Sequence, residues 1–115
     1  MTTPPMRTSS PGDVVIVPFP FTDRDTTKRR PALVCSSEAF NRQTRHLILA
    51  MITTAAHSSW PHDVPIRDLE ASGLPAPSVV RWKLFTLDAT FVLERAGALS
   101  RRDRAQCRST QPLAL

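Results

Sequence analysis

The chain has 115 residues, 41% of them hydrophobic, and 15 basic against 10 acidic side chains give a formal charge of +5. That is one domain's length with a modest core; the apolar content excludes a disordered chain, and the absence of any long apolar run excludes a signal peptide or membrane span, so a cytoplasmic protein is expected. Arginine supplies thirteen of the fifteen cations, and its planar fork pairs with phosphate oxygens, which points to nucleic acid as partner; a GC-rich coding sequence explains the same excess.

Residues 1–11 are Thr/Ser/Pro-rich and read as a flexible N-terminal lead-in. From Asp13 the run DVVIVPF is β-branched and short, a strand that Pro18 and Pro20 end or confine to an edge. Phe21–Arg30 is polar and without helical period, a loop closed by Pro31, after which ALVCSS resumes the β pattern. HLILAMITT, His46–Thr54, fits a buried strand or a helix; the Thr-Thr exit and the β-rich surroundings favour the strand. DVPI is a short strand or edge, and RDLEASG one helical turn ended by Gly73. SVVRWKLFTLD is a long strand, and ATFVLERAG a strand or a short helix. Ser100 caps a final helix, RRDRAQC, with Asp103 completing a capping box. Residues 109–115 form a tail. Five or six short strands with one late helix and prolines at the joints predict a small closed barrel.

Cys35 lies in an apolar run and Cys107 in a polar tail; no CxxC or Cys/His spacing exists, so neither a metal nor another cofactor is expected. The stretch from Arg95 to Leu115 holds five arginines and a single acid, Asp103, and is the most basic part of the chain.

Several segments in order carry a resemblance: GDVVIVPFPFTD (Gly12–Asp23), KRRPALVCS (Lys28–Ser36), LAMITT (Leu49–Thr54), SVVRWKLFTLD (Ser78–Asp88) and GALS (Gly97–Ser100). Together they resemble the MazF/PemK toxins, and residues 12–108 are assigned to such a toxin domain. The resemblance implies a mainly β fold, a small SH3-like β-barrel of the MazF/CcdB type with a short C-terminal helix. It further implies a homodimer, a cognate antitoxin with a flexible acidic tail, and metal-independent cleavage of single-stranded RNA. In that reaction the ribose 2′-hydroxyl attacks the adjacent phosphate and leaves a cyclic phosphate and a 5′-hydroxyl. The family's catalytic pair, the arginine of its Arg-Pro step and the first threonine of its Thr-Thr step, corresponds to Arg30 and Thr53.

These residue types suit that chemistry. A guanidinium donates two hydrogen bonds to the phosphorane oxygens of the transition state, and Pro31 fixes the backbone directly after Arg30. The Thr53 hydroxyl orients the phosphate. Lys28, Arg29, Thr54, His57, Arg81 and Lys83 are the candidate RNA contacts. Arg81 and Lys83 alternate with Val80 and Trp82 and so share one strand face. Lys83 stands where some members of the family carry an acid. His57 and His62 are acid–base candidates, histidine being the residue type suited to that work near neutral pH, whereas His46, at a strand start, is structural. Asp23 and Asp25 are read as solvated loop acids. Trp60 is the candidate for stacking on an unpaired base, and Trp82 belongs to the core or a dimer face. Two other functions fit the same outline: a CcdB-like poison of gyrase, and a catalytically degenerate relative that binds antitoxin or RNA.

Overall fold

The computed structural model describes residues 8–19, 28–56 and 59–115. Six strands form one antiparallel sheet: β1 (Asp13–Pro18), β2 (Arg29–Val34), β3 (His46–Thr54), β4 (Val64–Pro65), β5 (Ser78–Asp88) and β6 (Glu94–Ala98). Their order is β4-β5-β3-β2-β1-β6. Three helices accompany them, α1 (Glu38–Thr44), α2 (Leu69–Ser72) and α3 (Arg101–Thr110). A 3₁₀ turn at Ala89–Phe91 precedes β6, so ATFVLERAG is helical turn first and strand second.

The central strands are covered on both faces, which is why they read as unbroken apolar runs rather than as an alternation. One face gathers Val14, Leu33, Ala50, Ile52 and Val80 with Leu99 and Cys107. The other gathers Val15, Val17, Ala32, Val34, Leu47, Leu49 and Leu87. β1 ends at Pro18, as its prolines require.

The sheet curls into a half-barrel, mainly β and with a C-terminal helix as expected. Its edge strands are β4 and β6, and α2, which follows β4 in the chain, packs on β6. Close backbone approach makes this possible. Gly73 ends α2 in the left-handed region (φ 74°), and a Cβ there would collide with the Ala96 carbonyl; a Cβ at Gly97 would collide with the Ala71 carbonyl.

α3 is tied down by both polar and apolar contacts. Ser100 caps it by accepting from Asp103 N at 3.2 Å. The second half of the expected capping box is absent: the Asp103 carboxylate, 2% exposed, accepts from Arg67 N and Asp68 N at 2.9–3.1 Å. It serves the loop after β4 instead of its own helix. One turn on, Cys107 points inward and joins the core, which corrects its assignment to a polar tail.

The sequence pattern does not announce α1. Ser37 caps it by accepting from Phe40 N, Arg45 ends it in the left-handed region (φ 56°), and buried Asn41 bonds Ser36 and the Ser9 carbonyl. Ser9 and Ser10, inside the stretch expected as flexible lead-in, are thereby held, Ser10 also through Asp13 and Glu38. Residues 1–7 lie outside the described residues, and no helix among the described residues is long and apolar enough to cross a membrane.

Candidate nucleic-acid interface

Arg29 and Arg30 open β2 instead of ending the preceding loop; Val17 pairs with Arg30 and Ile16 with Pro31. The β2–β3 ladder runs Val34↔Leu49, Leu33↔Ala50, Ala32↔Met51. The ladder ends there, with Arg30 two residues before Ala32 on β2 and Thr53 two residues after Met51 on β3. Side chains facing each other across a ladder share a face, so Arg30 and Thr53 lie on the side of Ala32, Val34 and Leu49. At this end of the sheet the apolar surface gives way to Arg30, Met51, Thr53 and Arg81, the last directly opposite Met51. Arg30 is exposed and Thr53 half-buried.

β5 bulges here. Ala50 pairs with Leu84 and Met51 with Arg81, leaving Trp82 and Lys83 as two extra residues. Around the bulge, Arg81 forms a two-point ion pair with Asp63, Nη2–Oδ2 2.8 Å and Nε–Oδ1 3.2 Å, with side chains only 12% and 15% exposed. The hydrogen bond from Arg81 holds the Asp63 carboxyl below its usual value and raises the guanidinium. Asp63 also accepts from Trp60 N at 3.0 Å and returns its own N–H to the Trp60 carbonyl at 3.1 Å. Lys83 Nζ stands 4.5 Å from the centroid of the Trp60 ring. Arg81 and Lys83 thus both meet the segment 60–63.

The remaining candidates divide. Lys28 is exposed at the entrance to β2, its carbonyl accepting from Phe19 N. Strand alternation turns Arg29 and Thr54 to the opposite face from Arg30 and Thr53, both exposed. His62 is exposed in a left-handed turn (φ 65°), and His46 opens β3 with its ring nitrogen 2.9 Å from the Thr44 carbonyl. His57, Asp23 and Asp25 lie outside the described residues. Among the described residues no three His, Cys, Asp or Glu side chains group to hold a metal ion. Besides the Asp63 carboxylate held by Arg81, this end of the sheet offers guanidinium, hydroxyl and ammonium groups.

Sequence reasoning missed an apolar groove of about 420 Å³ on the other face, lined by Leu33, Ile48, Trp82, Leu84 and Cys107, with Arg104 and Arg108 in its wall. The Trp82 indole N–H is buried there with no hydrogen-bond partner among the described residues. Both cysteines line it, and desolvation raises both thiols, Cys35 to about 12 and Cys107 to about 11. Cys35 is nevertheless exposed as a residue, and Cys107 is buried.

Residues 10–111 match the family described as PemK-like, MazF-like toxins of type II toxin–antitoxin systems. The chain belongs to this family. Three solved structures show the same fold. An endoribonuclease in complex with its cognate antitoxin, from a mycobacterial species, is 16% identical with a TM-score of 0.70, covering 95% of this chain and all of its own. The MazE–MazF complex of Deinococcus radiodurans is 22% identical at a TM-score of 0.69, over 90% of this chain and 91% of its own. The Mycobacterium tuberculosis toxin MazF-mt6 is 21% identical at 0.68, over 85% and 90%. No curated protein matches in sequence. Within this PemK/MazF fold the end of the sheet bearing Arg30 and Thr53 is the candidate interface.

Proposed function

We propose that this PemK/MazF-like toxin is an endoribonuclease that cuts single-stranded RNA without a metal and is neutralised by a cognate antitoxin. The observation that supports the reading is that Arg30 and Thr53 lie on neighbouring strands, each two residues beyond the Ala32–Met51 pair and, by strand alternation, on one sheet face. Endoribonuclease activity and antitoxin complexes are what the names of its structural relatives state of those proteins.

In the proposed reaction the 2′-hydroxyl gives its proton to water as its oxygen bonds to phosphorus, the bond from phosphorus to the 5′-oxygen breaks, and that oxygen takes a proton from water and leaves as a hydroxyl. Negative charge builds on the two non-bridging oxygens, where the forked Arg30 guanidinium stabilises it most. Thr53 donates its hydroxyl to the same phosphate and keeps the attack in line. Lys83 brings a cation to a position where some family members have an acid, so its part is charge toward phosphate and not proton abstraction. Lys28, Arg29, Thr54 and His57 complete the proposed RNA path, with Arg81 contributing through the segment it holds.

A second copy of the chain is proposed to cover the groove around Leu84, a leucine on an interior strand that is nevertheless 37% exposed. Incubation of the purified protein with mixed-sequence RNA in EDTA, followed by end-group analysis, tests the reading. Cyclic phosphate and 5′-hydroxyl ends are expected. Intact RNA together with stalled gyrase would replace this reading with a gyrase-directed poison.

A further inference from the structure

We propose that Trp60 is the stacking platform for one unpaired base of the bound RNA, held ready by Lys83 and by the Asp63–Arg81 pair; this rests on the nuclease reading and adds a recognition site to it.

Trp60 is the one aromatic side chain among the large hydrophobics exposed in the described residues, with 42% of its surface in solvent. Its backbone is nevertheless held at two points, and the residue that holds it is itself anchored. Trp60 N donates to Asp63, Asp63 N donates back to the Trp60 carbonyl, and Arg81 grips the Asp63 carboxylate with two hydrogen bonds. The turn between them is tight enough to put His62 at φ 65°. An indole presented to water from a held backbone gains little for the fold, and that backbone need not be ordered when a flat ligand lands on the ring.

The surroundings select the ligand. The Lys83 ammonium sits 4.5 Å from the ring centroid, and an ammonium occupies one face of an indole, leaving ring surface for a flat partner. Every base offers a π-face, and the phosphates beside a stacked base meet the same ammonium. Arg81 faces Met51, two residues before Thr53 on β3, so the platform is anchored about 7 Å along the strand from the proposed hydroxyl donor and on the same face. An RNA strand lying across Arg30 and Thr53 therefore has a base within reach of Trp60.

The test uses the full chain, its Trp60→Ala and Trp60→Phe variants, and a random-sequence single-stranded 2′-O-methyl oligonucleotide, which lacks the attacking hydroxyl and stays intact. The wild type should bind it with a quench of indole emission that Trp60→Ala lacks. Trp60→Ala should bind about tenfold more weakly, with Trp60→Phe recovering most of the loss. An abasic oligonucleotide should bind wild type and Trp60→Ala alike. Equal affinity of wild type and Trp60→Ala for the oligonucleotide with bases, in an enzyme that still cuts RNA, overturns the stacking site alone. A wild type that neither binds nor cuts overturns the reading beneath it. A quench given by an acidic peptide and not by the oligonucleotide overturns the proposal in favour of a protein partner.

Discussion

Asp63 and Arg81 meet through two hydrogen bonds of 2.8 and 3.2 Å, joining the turn after β3 to the bulge of β5. An arginine expected from the sequence to track phosphate is thus engaged within the protein by a carboxylate eighteen residues away.

The pair gives stability a defined pH dependence. The folded protein holds the Asp63 carboxyl below its usual value, so the unfolded chain binds that proton more readily and acid favours unfolding. The contribution is complete above the unfolded value of about 4 and is lost as pH falls through the lower folded value. Asp63→Asn should therefore be less stable than wild type in urea at pH 6, with the gap closing as pH falls below 4. A gap independent of pH would contradict this.

Asp103 holds the C-terminal helix to the loop after β4 by accepting from two backbone amides while 2% exposed. Asp103→Ala strands both donors and should cost about 2–4 kcal/mol in urea unfolding. Asp103→Asn keeps one acceptor oxygen and should cost less. Equal losses would mean that charge, not donor satisfaction, governs the contact.

Gly73 combines a left-handed backbone with contact against the Ala96 carbonyl, where α2 meets β6. Gly73→Ala should lower stability by about 1–3 kcal/mol, through both strain and forced separation of the two elements. A melting temperature unchanged by the substitution would contradict the close contact of α2 with β6.

The two thiols should be slow toward a thiol reagent at pH 8 in the folded protein, because the thiolate is the nucleophile and both are pushed up, to about 12 and 11. Cys35 should be slow despite its exposed setting, and both should react fast in denaturant. Rapid labelling of Cys35 in the native state would contradict its desolvation.

Local pattern made β1, β2, β3 and β5 legible: the first three carry apolar runs covered on two faces, and β5 is long and alternates. α1 was not, since EAFNRQT has no apolar stripe and rests on the Ser37 cap and on the buried amide of Asn41. The inward turn of Cys107 and the tertiary use of Asp103 depend on where α3 lands, which nothing in RRDRAQC states. At the candidate site, Arg30 and Thr53 stood out only through the family's order of motifs, as neither residue type is unusual in a strand. Trp60 was visible as an aromatic in a polar loop. Its contact with Lys83 was not, for it requires two extra residues in β5 and a left-handed turn at His62.

Single-turnover cleavage of a mixed RNA in EDTA, by wild type, Arg30→Ala and Thr53→Ala with matched thermal midpoints, bears most directly on the paired guanidinium and hydroxyl. Arg30→Ala should lose about 10²–10³ in rate and Thr53→Ala a smaller factor. Wild-type rates in both variants, or cleavage that stops in EDTA, would contradict it.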